Sequence, residues 1–74
     1  MSNKNKILKE IHVLEEEIKL LELKRSRSLA SLMESVISRT TPNETDVQFF
    51  RTFTAEIDVK REQLQKLSRQ LEEL

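Results

Sequence analysis

Glycine, cysteine, tryptophan and tyrosine are all absent from this 74-residue chain, and proline and histidine occur once each. Each absence removes a class of protein. Without cysteine there is no disulfide scaffold, no thiolate zinc site and no thiol nucleophile. Without glycine there is no Gly-rich loop to cradle a phosphate and no hairpin turn that relies on a glycine at positive φ. A single histidine cannot by itself build a His-based metal site. Long apolar runs are missing too: the longest are pairs such as Leu20-Leu21 and Phe49-Phe50. A bilayer span needs roughly 20 consecutive apolar residues, and the polar Met1–Lys6 stretch precedes no signal-peptide core. The expectation is a soluble, cytoplasmic protein.

Charge of one sign is lacking as well. Thirteen basic residues balance thirteen acidic ones, for a net charge of zero with His12 neutral. Nucleic-acid binding usually selects a net basic face, so this balance argues against it. The length allows one small domain.

What is present is helix-forming sequence in two long stretches. In the first, Ile7, Ile11, Leu14, Ile18 and Leu21 recur at alternating spacings of four and three, and the same spacing continues through Arg25, Ser28, Leu32 and Ser35. That alternation keeps residues on one narrow stripe of a helix, as in a coiled-coil seam. A second set comprises Leu8, Val13, Leu20, Leu23, Ala30, Met33 and Ile37. The first helix is therefore apolar on more than one side, and one partner helix cannot cover it all. In the second stretch, Phe53, Ile57, Lys60, Leu64, Leu67, Leu71 and Leu74 form the corresponding row, with Val47, Phe50, Thr54 and Arg61 beside it.

Between the two lies Ser38-Arg39-Thr40-Thr41-Pro42-Asn43-Glu44-Thr45-Asp46. The threonines and the proline stop the first helix, because the residue before proline disfavours the α region. Thr41 can cap the next helix with Pro42 at its first position and Glu44 closing a capping box; Thr45 and Gln48 offer a second box of the same spacing. A short link between long helices makes an antiparallel hairpin. The sequence thus predicts an all-α fold: residues 1–74 form a single helical hairpin, with a helix over about 3–39, a turn over about 40–45 and a helix over about 42–74. With the turn centred near 41–42, residue n faces roughly residue 83 minus n. This register sets Val36 against Val47, Leu32 against Phe50 or Arg51, Ile18 against Leu64 and Leu14 against Leu67 or Ser68. It also brings Arg25 near Asp58, a candidate register pair. A lone hairpin of this size buries little, so completion of a helical bundle by oligomerisation or by a partner is expected.

Phe49, Phe50 and Phe53 are the only aromatic residues and lie within five positions. One reading makes them an anchor for a partner, since aromatic residues dominate interface hot spots. The other has them plug the loop end of the hairpin. Lys24, Arg25 and Arg27 form a short basic patch, open to phosphate contact, to a polar register role or to pairing with Asp58. Glu15-Glu16-Glu17 and Glu72-Glu73 diverge by about 100° per residue, so they read as solvated faces with pairs such as Glu15–Lys19. His12 and Glu16 share a face but lack the further ligands of a metal site. The serines of the first helix permit close helix approach. Catalysis is not expected, because two helices offer no concavity of ordinary ligand size. No catalytic residue, metal or cofactor is assigned.

The proline-marked turn Thr41-Pro42-Asn43-Glu44, followed by Val47-Gln48-Phe49-Phe50, resembles the small helical-hairpin co-chaperones of the needle subunit of bacterial type III secretion systems. The resemblance covers most of the chain as layout and about ten residues as sequence. The charge-rich end of the second helix, with Lys66, Arg69, Glu72 and Glu73, departs from the more apolar end usual in that family. The resemblance implies a cytoplasmic protein that joins a larger helical-repeat chaperone to sequester an aggregation-prone helical subunit.

The expected function is therefore a non-catalytic interaction module. It packs apolar helix faces against a helical partner, a chaperone or secreted subunit, or against itself as a homo-oligomer. Its partner-binding residues would be Phe49, Phe50, Phe53, Leu20, Leu23 and Met33. The alternative is a small DNA-binding or regulatory accessory protein of a phage or mobile element, acting through Lys24, Arg25 and Arg27.

Overall fold

A computed structural model describes residues 3–74 as two helices and the turn between them. Helix α1 spans Asn3–Ile37 and helix α2 spans Glu44–Glu72. They pack side by side as an antiparallel hairpin of 57 × 16 × 14 Å. Thirty-five helical residues at 1.5 Å per residue span roughly 50 Å, so α1 accounts for nearly the whole long dimension.

The seam of α1 follows the spacing of three and four. Ile18, Leu21 and Ser28 are buried, and Ile7, Ile11, Leu14, Arg25, Leu32 and Ser35 are half-buried. On α2, Ile57 is completely enclosed, and Phe53, Lys60, Leu64, Leu67 and Leu71 are half-buried. Leu74, the last member of that row, lies beyond α2 and is 65% exposed. The core is small: Ile18, Leu21 and Ile57, with Phe53 and Leu64 packed against them. It lies near the middle of the hairpin. Toward the turn the seam becomes polar through Arg25, Ser28 and Ser35. Ser28 and Ser35 direct their hydroxyls to the carbonyls of Lys24 and Ser31, at 3.4 and 3.2 Å. This back-bonding meets the hydroxyls' own hydrogen-bonding need without a partner from α2.

Helix α1 ends by a mechanism that the sequence reading attributed to threonine and proline. Arg39 takes φ 56°, in the left-handed region. The Thr40 N–H donates to the Ser35 carbonyl at 2.9 Å and the Arg39 N–H to the Val36 carbonyl at 3.2 Å. This pair of bonds is the Schellman motif, which normally places glycine at the left-handed position. The chain has no glycine, so an arginine adopts that conformation at a steric cost of roughly 1–2 kcal/mol.

The start of α2 also differs from expectation. Neither Thr41 nor Thr45 is the cap. Asn43 is, in extended conformation, with Oδ1 accepting from the Thr45 N–H at 2.8 Å. Its own carbonyl accepts the first helical bond, from Val47 at 3.1 Å. Asparagine is among the best N-cap residues, and Glu44 and Asp46 place negative charge in the positive first turn. Across the turn, the Ser31 hydroxyl donates to an Asp46 carboxylate oxygen at 2.7 Å. This bond ties the last turns of α1 to the first turn of α2.

Candidate interaction surface

Among the described residues, two ion pairs cross the hairpin. Lys60 Nζ lies 2.8 Å from Glu17 Oε2, and Arg61 Nη2 lies 2.6 Å from Glu22 Oε2. Arg61–Glu22 falls in the predicted register, in which residue n faces roughly residue 83 minus n, whereas Lys60–Glu17 is offset from it by six residues. Glu17 was read as part of a solvated acidic face, and Lys19 pairs with Glu16 at 3.5 Å rather than with Glu15. The candidate register pair does not form: among the described residues no ion pair joins Arg25 to Asp58. Arg25 is half-buried on the seam, while Asp58 is exposed. The reason is angular. Asp58 follows the enclosed Ile57 and so points about 100° away from it, on the side of Ile57 away from the rest of the α2 seam. Val36 likewise misses its expected place opposite Val47 and is 71% exposed, because Ser35 occupies the seam position in that turn.

The aromatic cluster is divided between the two readings proposed for it. Phe49 and Phe53 stack with ring centroids 5.8 Å apart and planes inclined by 17°. Phe53 packs against the core, Phe50 is half-buried, and Phe49 is 48% exposed. Phe53 thus supports the fold and holds Phe49 at the surface. Leu20, Leu23 and Met33 are exposed on α1. The six expected partner-binding residues do not converge on one spot. Leu20 and Leu23 lie on the back of α1, roughly 160° around the helix from the seam midpoint between Ile18 and Leu21. The phenylalanines lie on α2.

The basic patch is split in the same way. Arg25 turns into the seam, whereas Lys24 and Arg27 are exposed. Three neighbouring cations in sequence do not form one cationic face. No group of three or more His, Asp or Glu side chains suited to a metal ion occurs among the described residues, His12 and Glu16 included.

One feature had no signal in the sequence. Toward the open end, Lys6, Lys9, Val13 and Leu14 of α1 face Lys66 and Leu67 of α2 across an open groove of about 660 Å³. This groove is open to solvent along the hairpin and is not an enclosed pocket. Its polar groups are ammonium and amide groups and the Glu10 carboxylate.

The apolar surface outweighs everything else. Among the described residues, eleven large apolar side chains are 42–79% exposed and only three hydrophobic residues are buried. Most of the exposed ones lie on α1. No helix among the described residues is long and apolar enough to cross a membrane. No protein-family model matches the chain, and neither a curated protein nor a solved structure matches it.

Proposed function

We propose that this hairpin is a non-catalytic protein–protein interaction module that packs the outer face of α1, together with Phe49, against a helical partner. The observation that carries the reading is the imbalance between a three-residue hydrophobic core and eleven large exposed apolar side chains. Eight of the eleven lie on α1, and a docked helix removes such apolar surface from water. Both helices are continuous, so the hairpin presents its exposed residues at fixed helical intervals. The most concrete partner is the one the turn resemblance implies: an assembly of a larger helical chaperone with a secreted helical subunit.

The test is affinity capture by the tagged chain in its native host, with partners identified by mass spectrometry and then titrated as purified proteins. Phe49→Ala and Leu20→Glu should each weaken the complex by about thirtyfold or more, as interface anchors do, with helix content unchanged by circular dichroism. Equal affinity for wild type and both variants would refute the reading.

A further inference from the structure

The back of α1 carries a second heptad seam. It runs Val13, Glu16, Leu20, Leu23, Arg27, Ala30, Glu34 and Ile37, with spacings of three and four; every one of these residues is exposed, and Val13 stands at the edge of the face, where it also borders the open groove beside α2. Five of the eight are apolar and three are charged, and the charges discriminate between ways of covering it.

A second copy of α1 can meet this face parallel or antiparallel. Parallel and in register, Glu16 would meet Glu16, Arg27 would meet Arg27 and Glu34 would meet Glu34. Like charges within a coiled-coil seam are strongly unfavourable. Antiparallel pairing allows registers one heptad apart. In the register where residue n faces roughly residue 43 minus n, Leu20 meets Leu23 at the centre and Val13 meets Ala30 on either side. Glu16 then meets Arg27, and Lys9 meets Glu34. Each charge finds its opposite, and two-fold symmetry makes every pair twice. One heptad further along, Glu16 would face Glu34. One heptad the other way, Arg27 would face Lys9 and Leu20 would face Glu16. Only one of these arrangements is complementary. Lys9, Arg27 and Glu34 have no ion pair within their own chain among the described residues, so their charges are available.

We infer that α1 binds a second copy of this chain through its outer face, antiparallel, in this register. The inference deepens the interaction-module reading and rests on it. It names the helical partner as the chain itself. Because the outer seam lies nearly opposite the α2 seam, each α1 sits between its own α2 and the partner's α1. The result is a flat layer of four helices rather than a closed bundle. The contact is some 50 Å long and about 10 Å wide, so the two copies together bury on the order of 1,000 Å². That is the lower end of what specific complexes bury. The dimer should therefore be in measurable equilibrium with monomer, and its specificity should come from the charges.

Analytical ultracentrifugation of the full chain from about 1 μM to about 1 mM tests this. A monomer–dimer equilibrium is expected. Arg27→Glu alone and Glu16→Arg alone should each raise the dissociation constant at least tenfold, roughly the effect of placing like charges together. The combined Glu16→Arg, Arg27→Glu variant should return to within about threefold of wild type, since both pairs are rebuilt with their signs reversed. Both positions are exposed, so the hairpin itself should fold, with circular dichroism as the check. A distance measurement is independent of the charge series. The chain has no cysteine, so a nitroxide on His12→Cys reports one site per copy. The proposed register separates the two labels by about 30 Å along the axis, and parallel pairing by less than about 15 Å. A short distance, or a combined variant no tighter than the single ones, would overturn the register. A chain that is monomeric at every concentration would overturn self-association. The capture experiment with Leu20→Glu would still decide the broader reading by itself.

Discussion

Ile57→Ala is the substitution with the clearest expected consequence. Ile57 is 0% exposed and is the only completely enclosed large side chain among the described residues. It closes the core against Ile18 and Leu21, with Phe53 and Leu64 beside it. Alanine removes three carbons, and at about 0.8 kcal/mol per buried methylene the transfer loss is about 2.4 kcal/mol. The cavity left behind adds to this, placing the total in the range of about 2–5 kcal/mol. The hairpin is narrow and open on both flanks, so neighbouring side chains can partly refill the space, and a loss of about 3 kcal/mol is expected. Alanine's better helix propensity returns only a few tenths of a kcal/mol. A 74-residue chain is expected to have a total stability of roughly 4–11 kcal/mol, so the single site carries a large share. The assay is urea unfolding followed by circular dichroism at 222 nm, at one fixed protein concentration so that self-association cancels. Val59→Ala serves as control: Val59 is two residues away and 55% exposed, and its loss should stay within about 0.5 kcal/mol. Ile57→Val, expected to cost about 0.5–1.5 kcal/mol, keeps the comparison usable if the alanine variant does not fold. If Ile57→Ala and Val59→Ala destabilise equally, the seam assignment of α2 is wrong.

Arg39→Gly should stabilise the hairpin by up to about 1 kcal/mol, because relief of the left-handed arginine exceeds the added freedom of the unfolded chain; a lower urea midpoint would count against the Schellman termination of α1. A double-mutant cycle on Lys60 and Glu17 should give a coupling of about 0.2–1 kcal/mol that shrinks in high salt, since both groups are only partly shielded from solvent. The same cycle on Arg25 and Asp58 should give none, and a comparable coupling there would mean that Asp58 turns toward the seam rather than away from it.

The seam of α1 was legible residue by residue, including its polar members. The spacing of three and four that joins Ile7 to Leu21 placed Arg25, Ser28, Leu32 and Ser35 on the same stripe, and all four are buried or half-buried. It also placed Leu8, Val13, Leu20, Leu23, Ala30, Met33 and Ile37 off that stripe, and all seven are exposed. Periodicity determines this much because a helix fixes the direction of every side chain relative to its neighbours, whatever lies beyond it. What joins the helices was not legible in the same way. Thr41, Asn43 and Thr45 are all competent caps, and the path of the chain into α2 selected Asn43. Any residue near the end of α1 could have taken the left-handed position, and geometry assigned it to Arg39 without a glycine to mark the place. With thirteen charges of each sign, many cross-hairpin pairs were compatible with the sequence. The relative rotation and offset of the helices selected Lys60–Glu17 and Arg61–Glu22 and left Asp58 about 100° around α2 from Ile57, away from the seam. The same rotation drew Phe53 toward the core and left Phe49 outside it. Local spacing determines which residues share a face, but only the packing of two long, rigid elements decides which residues on the two faces meet.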